Sequence, residues 1–209
     1  LMGHAFYTSP FQFKNSTNGK AFSFSTSFVF TIVPEYPKLG GHGLAFTIAT
    51  TKDLQAHPSQ YLGLFNPSDV GNSSDHLFAV EFDTVQDFEF GDINDNHVGI
   101  DINGLTSEKS APAGYYNDKN GELKHLTLIS GQPMKVWIDY DGSRKQINVS
   151  LSPTNVENKP QKPLLSLTKD LSSVIEETMY VGFSSSTGTA PTSHYILGWS
   201  FNLNGQVED

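Results

Sequence analysis

The 209-residue chain has no cysteine, which excludes both a disulfide framework and a thiolate-bound metal. Basic residues are scarce: 13 Lys and Arg stand against 22 Asp and Glu, a formal net charge of -9 with an isoelectric point near 5.1. That surplus argues against electrostatic capture of a nucleic-acid polymer or an anionic membrane surface. No apolar run reaches the roughly 18 residues that span a bilayer, so no membrane contact is expected of these residues themselves. A signal-peptide pattern is also missing, as expected of a mature, excised fragment. Neither a Gly-x-Ser-x-Gly elbow nor a Gly-x-x-x-x-Gly-Lys phosphate loop occurs, and no repeat or low-complexity tract is found. Helical patterning is confined to 170–177, where Asp170 is the expected N-cap. The length suits one domain over residues 1–209 with a sizeable core.

What the chain does have is period-two alternation of apolar and polar residues, the mark of half-buried strands. It recurs at 21–33, 44–49, 61–65, 78–83, 97–103, 125–130, 134–140, 146–151, 179–184 and 194–202. Asp141-Gly142 marks a hairpin turn between two of these runs. Many strands with almost no helix predict an all-β fold, a two-sheet antiparallel β-sandwich. Phe22, Phe24, Phe28 and Phe30 fall on one strand face, and Val80, Phe82, Ile100, Trp137 and Phe183 join them in the expected core. Phe11, Phe13 and Trp199 read as core rather than as ligand platforms.

The stretch 78–101 carries the chemistry. Glu81 and Asp83 sit on one strand face, roughly 7 Å apart, and repel unless a proton or cation lies between them. The following loop supplies Asp87 and Asp92, and His97 opens the next strand, so a hairpin gathers four carboxylates and one imidazole. Oxygen ligands suit Ca²⁺ or Mn²⁺, and one histidine among carboxylates tilts one of two sites toward a transition ion.

This spacing resembles the bipartite Mn/Ca loop of the legume (L-type) lectins, and the resemblance extends over essentially the whole chain. Gly3-His-Ala-Phe-Tyr7, Gly43-Leu-Ala-Phe46, Tyr61-Leu-Gly-Leu-Phe65 and Val181-Gly-Phe-Ser-Ser-Ser-Thr-Gly188 fall in legume-lectin order. Ser110-Ala-Pro-Ala-Gly-Tyr-Tyr116, Val136-Trp-Ile-Asp-Tyr-Asp-Gly142 and His194-Tyr-Ile-Leu-Gly-Trp-Ser-Phe201 are more similar to the ectodomains of plant L-type lectin receptor-like kinases. The resemblance implies an extracellular-face location at the plasma membrane. It also implies a membrane span and kinase beyond Asp209, an N-terminal strand missing from this chain with one sheet edge incomplete, and room for a homodimer. Three sequons, at Asn15, Asn72 and Asn148, are compatible with glycosylation in that setting. By the same resemblance, Glu81, Asp83, Asp92 and His97 ligate metal, Val85 offers a carbonyl to Ca²⁺, and Asp87 takes a ligand position usually held by Asn.

On the sugar-binding side the chain departs from the family. His42 stands where the seed lectins have an Asp that accepts two sugar hydroxyls, and an imidazole has one acceptor nitrogen at most. Val85 replaces the aromatic ring that stacks on sugar, and Ser59-Gln60 replaces a Gly-Gly pair. The expectation is a noncatalytic sensing domain with impaired monosaccharide binding. Its ligand loops hold His42, Ser59, Gln60, Asp87, Ser185, Ser186 and Thr187, facing a glycan, a small extracellular metabolite such as a nucleotide, or a protein partner. The alternatives are a working Ca/Mn-dependent lectin and a sandwich glycosidase. The glycosidase needs a further acid where Val85 and Gln86 stand.

Overall fold

Alternation along the phenylalanine-rich segment decides which side of the chain is core. In the computed structural model, which describes residues 1–68 and 70–204, Phe24, Phe28, Phe30 and Ile32 are buried from one strand face while Ser23, Ser25, Ser27 and Val29 line the other. The strands are β1 (Met2–Phe6), β2 (Phe11–Gln12), β3 (Ser23–Pro34), β4 (Gly43–Ala49), β5 (Phe78–Asp83), β6 (His97–Ile102) and β7 (Lys109–Pro112). They continue with β8 (Gly114–Tyr116), β9 (Leu123–His125), β10 (Met134–Asp141), β11 (Gln146–Pro153), β12 (Leu165–Thr168), β13 (Thr178–Ser186) and β14 (Thr192–Asn204). Helix among the described residues is limited to single 3-10 turns at Ser59–Tyr61, Ser73–Asp75 and Leu171–Ser173.

Two antiparallel sheets face each other. One runs β1-β13-β4-β5-β6-β7, with β2 also on β13, and the other runs β12-β11-β10-β3-β14; β8 and β9 form a separate hairpin. Between the sheets, the Phe28 ring meets Phe82 edge-on at 5.8 Å and Phe183 at 5.0 Å. Each such side chain, fully buried, contributes about 1.5–3 kcal/mol. On its far side the larger sheet carries a second apolar cluster, in which Ala45 and Ala79 from the strands meet Leu62, Leu64, Phe65 and Phe90 from covering loops. This cluster positions the site, because it presses the loops before β5 and after it onto the outward faces of β4 and β5.

Several expectations change. Residues 61–65 form no strand: Leu62 and Gly63 take φ of 51° and 67°, which breaks extension and turns Leu62, Leu64 and Phe65 into the second cluster. Residues 125–130 leave the strand state after His125. Leu128 N–H instead donates to Asn96 Oδ1 at 2.8 Å, and Ser130 N–H closes a turn onto Thr127. Phe22 lies outside the strand and is only partly buried. Trp137 is not core either: its neighbours Val136 and Ile138 face inward, so the indole shares the outer parity with Lys135 and Asp139. The 170–177 segment keeps a single 3-10 turn, capped by Asp170 Oδ1 accepting from Ser172 N–H at 3.0 Å.

Phe13 is buried as expected, whereas Phe11 and Trp199 are only partly buried against the core. The β10–β11 hairpin turns at 142–145, where Asp141 Oδ1 accepts from Ser143 and Arg144 N–H. Asn148 faces outward on β11, partly exposed, with Oδ1 accepting from Ser166 Oγ at 2.7 Å. At one end of the smaller sheet, β14 pairs with β3 and has no strand on its other edge among the described residues.

Candidate metal centre and rim

Strand register builds the acidic site. Asp83 pairs with His97 and Glu81 with Gly99, so three ligating side chains project from adjacent strands into one spot. Gly99 is required there, because a Cβ would collide with the Glu81 carboxylate and Ser107 Oγ. Glu81, Asp83 and His97 are each 3% exposed or less. One ligand atom from each lies within 4.8 Å of the others, and Asp83, Asp87 and Asp92 form a second such group, so Asp83 is common to both.

The loop is tied to this pair of groups by its own backbone. Val85 N–H donates to Asp83 Oδ1 at 2.7 Å, Asp87 N–H to Asp92 Oδ2 at 2.7 Å, and Gln86 Nε2 to the Asp92 carbonyl at 2.9 Å. Gln86 therefore turns into the loop rather than across an open cleft. Phe90, packed 5.8 Å from the Tyr61 ring, anchors the loop to the second cluster.

The buried cluster needs protons or a cation to hold its charges together. His97 Nδ1 lies 2.7 Å from the Asn94 carbonyl, which can only accept, so Nδ1 carries hydrogen. Nε2 then faces Glu81 Oε1 at 3.3 Å and Asp92 Oδ1 at 3.9 Å, an arrangement that needs a proton, on the imidazole or on a facing carboxyl, or a metal ion. Burial opposes the imidazolium, but hydrogen bonding and charge from Glu81 outweigh it and raise the His97 pKa. Burial first, and the Glu81 charge second, hold Asp83 well above the usual carboxylate range. Burial is also the leading cause for Asp92, raised to about 6. Mutual repulsion is thus real but secondary to desolvation. Hard oxygens with one imidazole nitrogen fit Mn²⁺ on Glu81, Asp83 and His97, and the carboxylates of Asp83, Asp87 and Asp92 fit Ca²⁺.

Sequence reasoning missed two residues of this site. Asp101 is fully buried, and Ser107 Oγ bridges it to Glu81 at 2.7 and 2.8 Å. One hydroxyl hydrogen serves only one of these oxygens at a time, and burial together with the Glu81 charge lifts Asp101 well above its ordinary pKa. The signal was available: Asp101 shares the parity of His97 and Gly99 on β6.

The rim beside the acids closes on itself. His42 takes a left-handed φ of 54°, uncommon away from glycine, and places Nδ1 3.0 Å from Asp87 Oδ2. Gly188 lies close by, since its Cβ would stand 2.7 Å from His42 Nε2 and 3.6 Å from Ser59 Oγ. Ser186 Oγ donates to the Ser59 carbonyl at 2.6 Å. These contacts bring His42, Ser59, Asp87 and Ser186 together, while Gln60 turns to Glu89 at 3.2 Å. Ser185 shares the inward parity of Phe183 and lines a cavity of about 330 Å³ with His4, Leu44 and His194, away from this group. Thr187 exchanges backbone bonds with Leu1.

A legume lectin domain family model matches residues 1–209. The chain belongs to the legume lectin domain family. It is 57% identical over 208 residues to the Arabidopsis thaliana L-type lectin-domain containing receptor kinase V.9, covering 99% of this chain and 31% of that protein. The chain therefore spans about a third of the curated relatives it matches. Among solved structures it resembles winged bean acidic lectin complexed with methyl-α-D-galactose, with TM-score 0.78, 32% identity, and 98% of this chain and 80% of that one covered. It also resembles the metal-free form of Griffonia simplicifolia lectin I-B4, with TM-score 0.79, 30% identity, and coverage of 97% and 80%. No helix among the described residues is long and apolar enough to cross a membrane.

Proposed function

We propose that this lectin domain, as residues 1–209, is the noncatalytic ligand-sensing module of a plant receptor-like kinase at the extracellular face of the plasma membrane, with impaired monosaccharide binding. The observation that carries this reading is the His42–Asp87 contact at 3.0 Å. It engages the imidazole with a carboxylate at the point where the family presents acceptors to sugar. A sugar docking there would have to displace an internal partner, and each buried hydrogen bond left unmade costs about 1–3 kcal/mol. Val85 offers no ring in compensation. The ligand, whether glycan, nucleotide-like metabolite or protein, engages the loops carrying His42, Ser59, Gln60, Asp87, Ser186 and Thr187, with Ser185 set apart in its own cavity.

Calorimetry with methyl mannoside and galactose should show no saturable heat. The triple variant His42→Asp, Val85→Phe, Asp87→Asn should regain binding, and a metabolite thermal-shift screen run in parallel should find the physiological class. Micromolar hexose binding by the unaltered domain would refute the impaired rim. Incubation with β-glucans and xyloglucan should release no reducing ends; release that vanishes in Glu81→Gln would make the domain a glycosidase. A second reading, a working Ca/Mn-dependent lectin, is favoured by one feature, the two ligand groups sharing Asp83. Titration of chelator-treated protein with Mn²⁺ and Ca²⁺ tests it directly.

A further inference from the structure

The outer face of the smaller sheet carries a second feature, independent of the metal end. Trp137 lies on this face, and the register sets it in a cross-strand row Ser150–Trp137–Ser27–Ser200. Trp137 is flanked there by hydroxyls on both neighbouring strands, and Tyr195 is a further exposed ring on the same face, paired with Thr31. A cavity of about 400 Å³ opens over this row, lined by Ser27, Val29, Lys135, Trp137 and Ser200, a size within the range of small-ligand sites. A neighbouring cavity of about 360 Å³ continues along the same face over Ser25, Asp139 and Asn148. Rows of outward side chains stand roughly 7 Å apart along the strands.

The polar groups lining this cavity differ in how far they are already engaged, and Ser150, although across from Trp137, is buried beneath the surface rather than in the cavity wall. Ser27 and Ser200 hydroxyls bond to each other at 2.9 Å, which uses one hydrogen and leaves the other free to donate. Ser150 Oγ, 1% exposed and directly across from Trp137, has no hydrogen-bond partner among the described residues. Asp139 is neutralised by Lys159, and Asp141 lies 3.6 Å from Arg144. Lys135 has no ion pair among the described residues, so the face presents one unspent cation beside its indole. The second tryptophan is committed elsewhere: Trp199 donates Nε1–H to Thr26 Oγ1 at 2.9 Å and packs on Phe183.

We infer that this face is a second binding site, for an extended pyranose oligosaccharide. The apolar face of one sugar ring stacks on Trp137, its hydroxyls meet Ser27 and Ser200, and its polar edge points to Lys135. A partly exposed indole on an outward sheet face suits a ring face, and hydroxyl rows suit a chain of rings; neither suits an apolar peptide. The Lys135 ammonium can donate to a neutral hydroxyl and pairs more strongly with a uronic carboxylate, so the sugar chemistry is shared by two kinds of cell-wall-type chain that Lys135 tells apart. The Asn148 sequon opens on the same face, one row from Trp137, so the test uses protein made without N-glycans.

Tryptophan fluorescence and calorimetry with a β-1,4-glucan hexamer and an oligogalacturonide should give saturable binding for at least one of them, unchanged by chelator. Trp137→Ala should weaken it at least tenfold, and Trp137→Phe, which keeps a ring, should recover part of the loss. Lys135→Met should weaken the acidic chain at least fivefold and the neutral chain little, which tells the two sources apart. Matched melting curves establish that the variants are folded; if Trp137→Ala is not, the Phe and Met variants carry the test. Binding of neither chain, or full binding by a folded Trp137→Ala, would overturn the assignment. A Trp137 signal that changes with protein concentration in the absence of sugar would assign the face to a second copy and overturn it too.

Discussion

Gly99 shows how a single residue conditions the chemistry of this site. It faces Glu81 across the β5–β6 ladder, where any side chain would fall on the carboxylate and on Ser107 Oγ. Gly99→Ala should therefore destabilise the domain by about 1–3 kcal/mol through overpacking. It should also weaken Mn²⁺ binding more than Ca²⁺ binding, because Glu81 belongs to only one ligand group. Urea melts and metal titration of the same protein check both halves, and a neutral substitution would mean that Glu81 has room to move. The residues of the acidic site were legible in the sequence to the extent that strand parity dictates them. Glu81 and Asp83 alternate with core residues, and His97 heads the partner strand. What could not be read was the His42–Asp87 pair, joined across 45 residues by a left-handed turn that no local pattern announces.

At the scale of elements, the long strands announced themselves and the short ones did not. β7 is Lys109-Ser-Ala-Pro112, with no apolar alternation, and it forms because β6 offers it an edge. Trp137 was misplaced for the opposite reason: its hydrophobicity suggested core, while its parity with Lys135 and Asp139 had already put it outside. The turn after β12 was legible because capping is local chemistry. There Asp170 caps the 3-10 turn and pairs with Lys145, and the Lys145 hydrogen bond followed by the Ser172 contacts holds its pKa down to about 2. Asp170→Ala should cost about 1 kcal/mol, nearly all from the lost cap, since an ion pair this exposed adds little. Asp170→Asn, which keeps an acceptor, should recover most of it. Equal losses for both variants in denaturant titrations would shift the credit to the ion pair.

For the whole molecule, period-two patterning was enough to specify a sandwich, but which groups hold protons depends on burial that only the folded sheets create. Asp92 has its pKa raised from 3.8 to about 6, so its contribution to stability is complete below 3.8 and is lost as pH rises through 6. Burial raises Asp83 and Asp101 as well, and they act in the same direction. His97, raised above 6.5, also favours folding at low pH and loses that contribution as pH climbs past its folded value. The signs agree, so metal-free protein should melt lower at pH 8 than at pH 5.5, by roughly 2–3 °C from Asp92 alone at the usual 2–4 °C per kcal/mol for a chain of this length. Ca²⁺ and Mn²⁺ displace those protons and bind only the folded site, so they should raise the melting temperature more at pH 8 than at pH 5.5 and flatten the profile. Scanning calorimetry across this range, with chelator and then with each ion, decides the matter. A metal-free profile that is level or rises with pH would show that the acids are not packed against one another as described, and an unchanged profile after adding ions would leave the cluster a proton store rather than a metal centre.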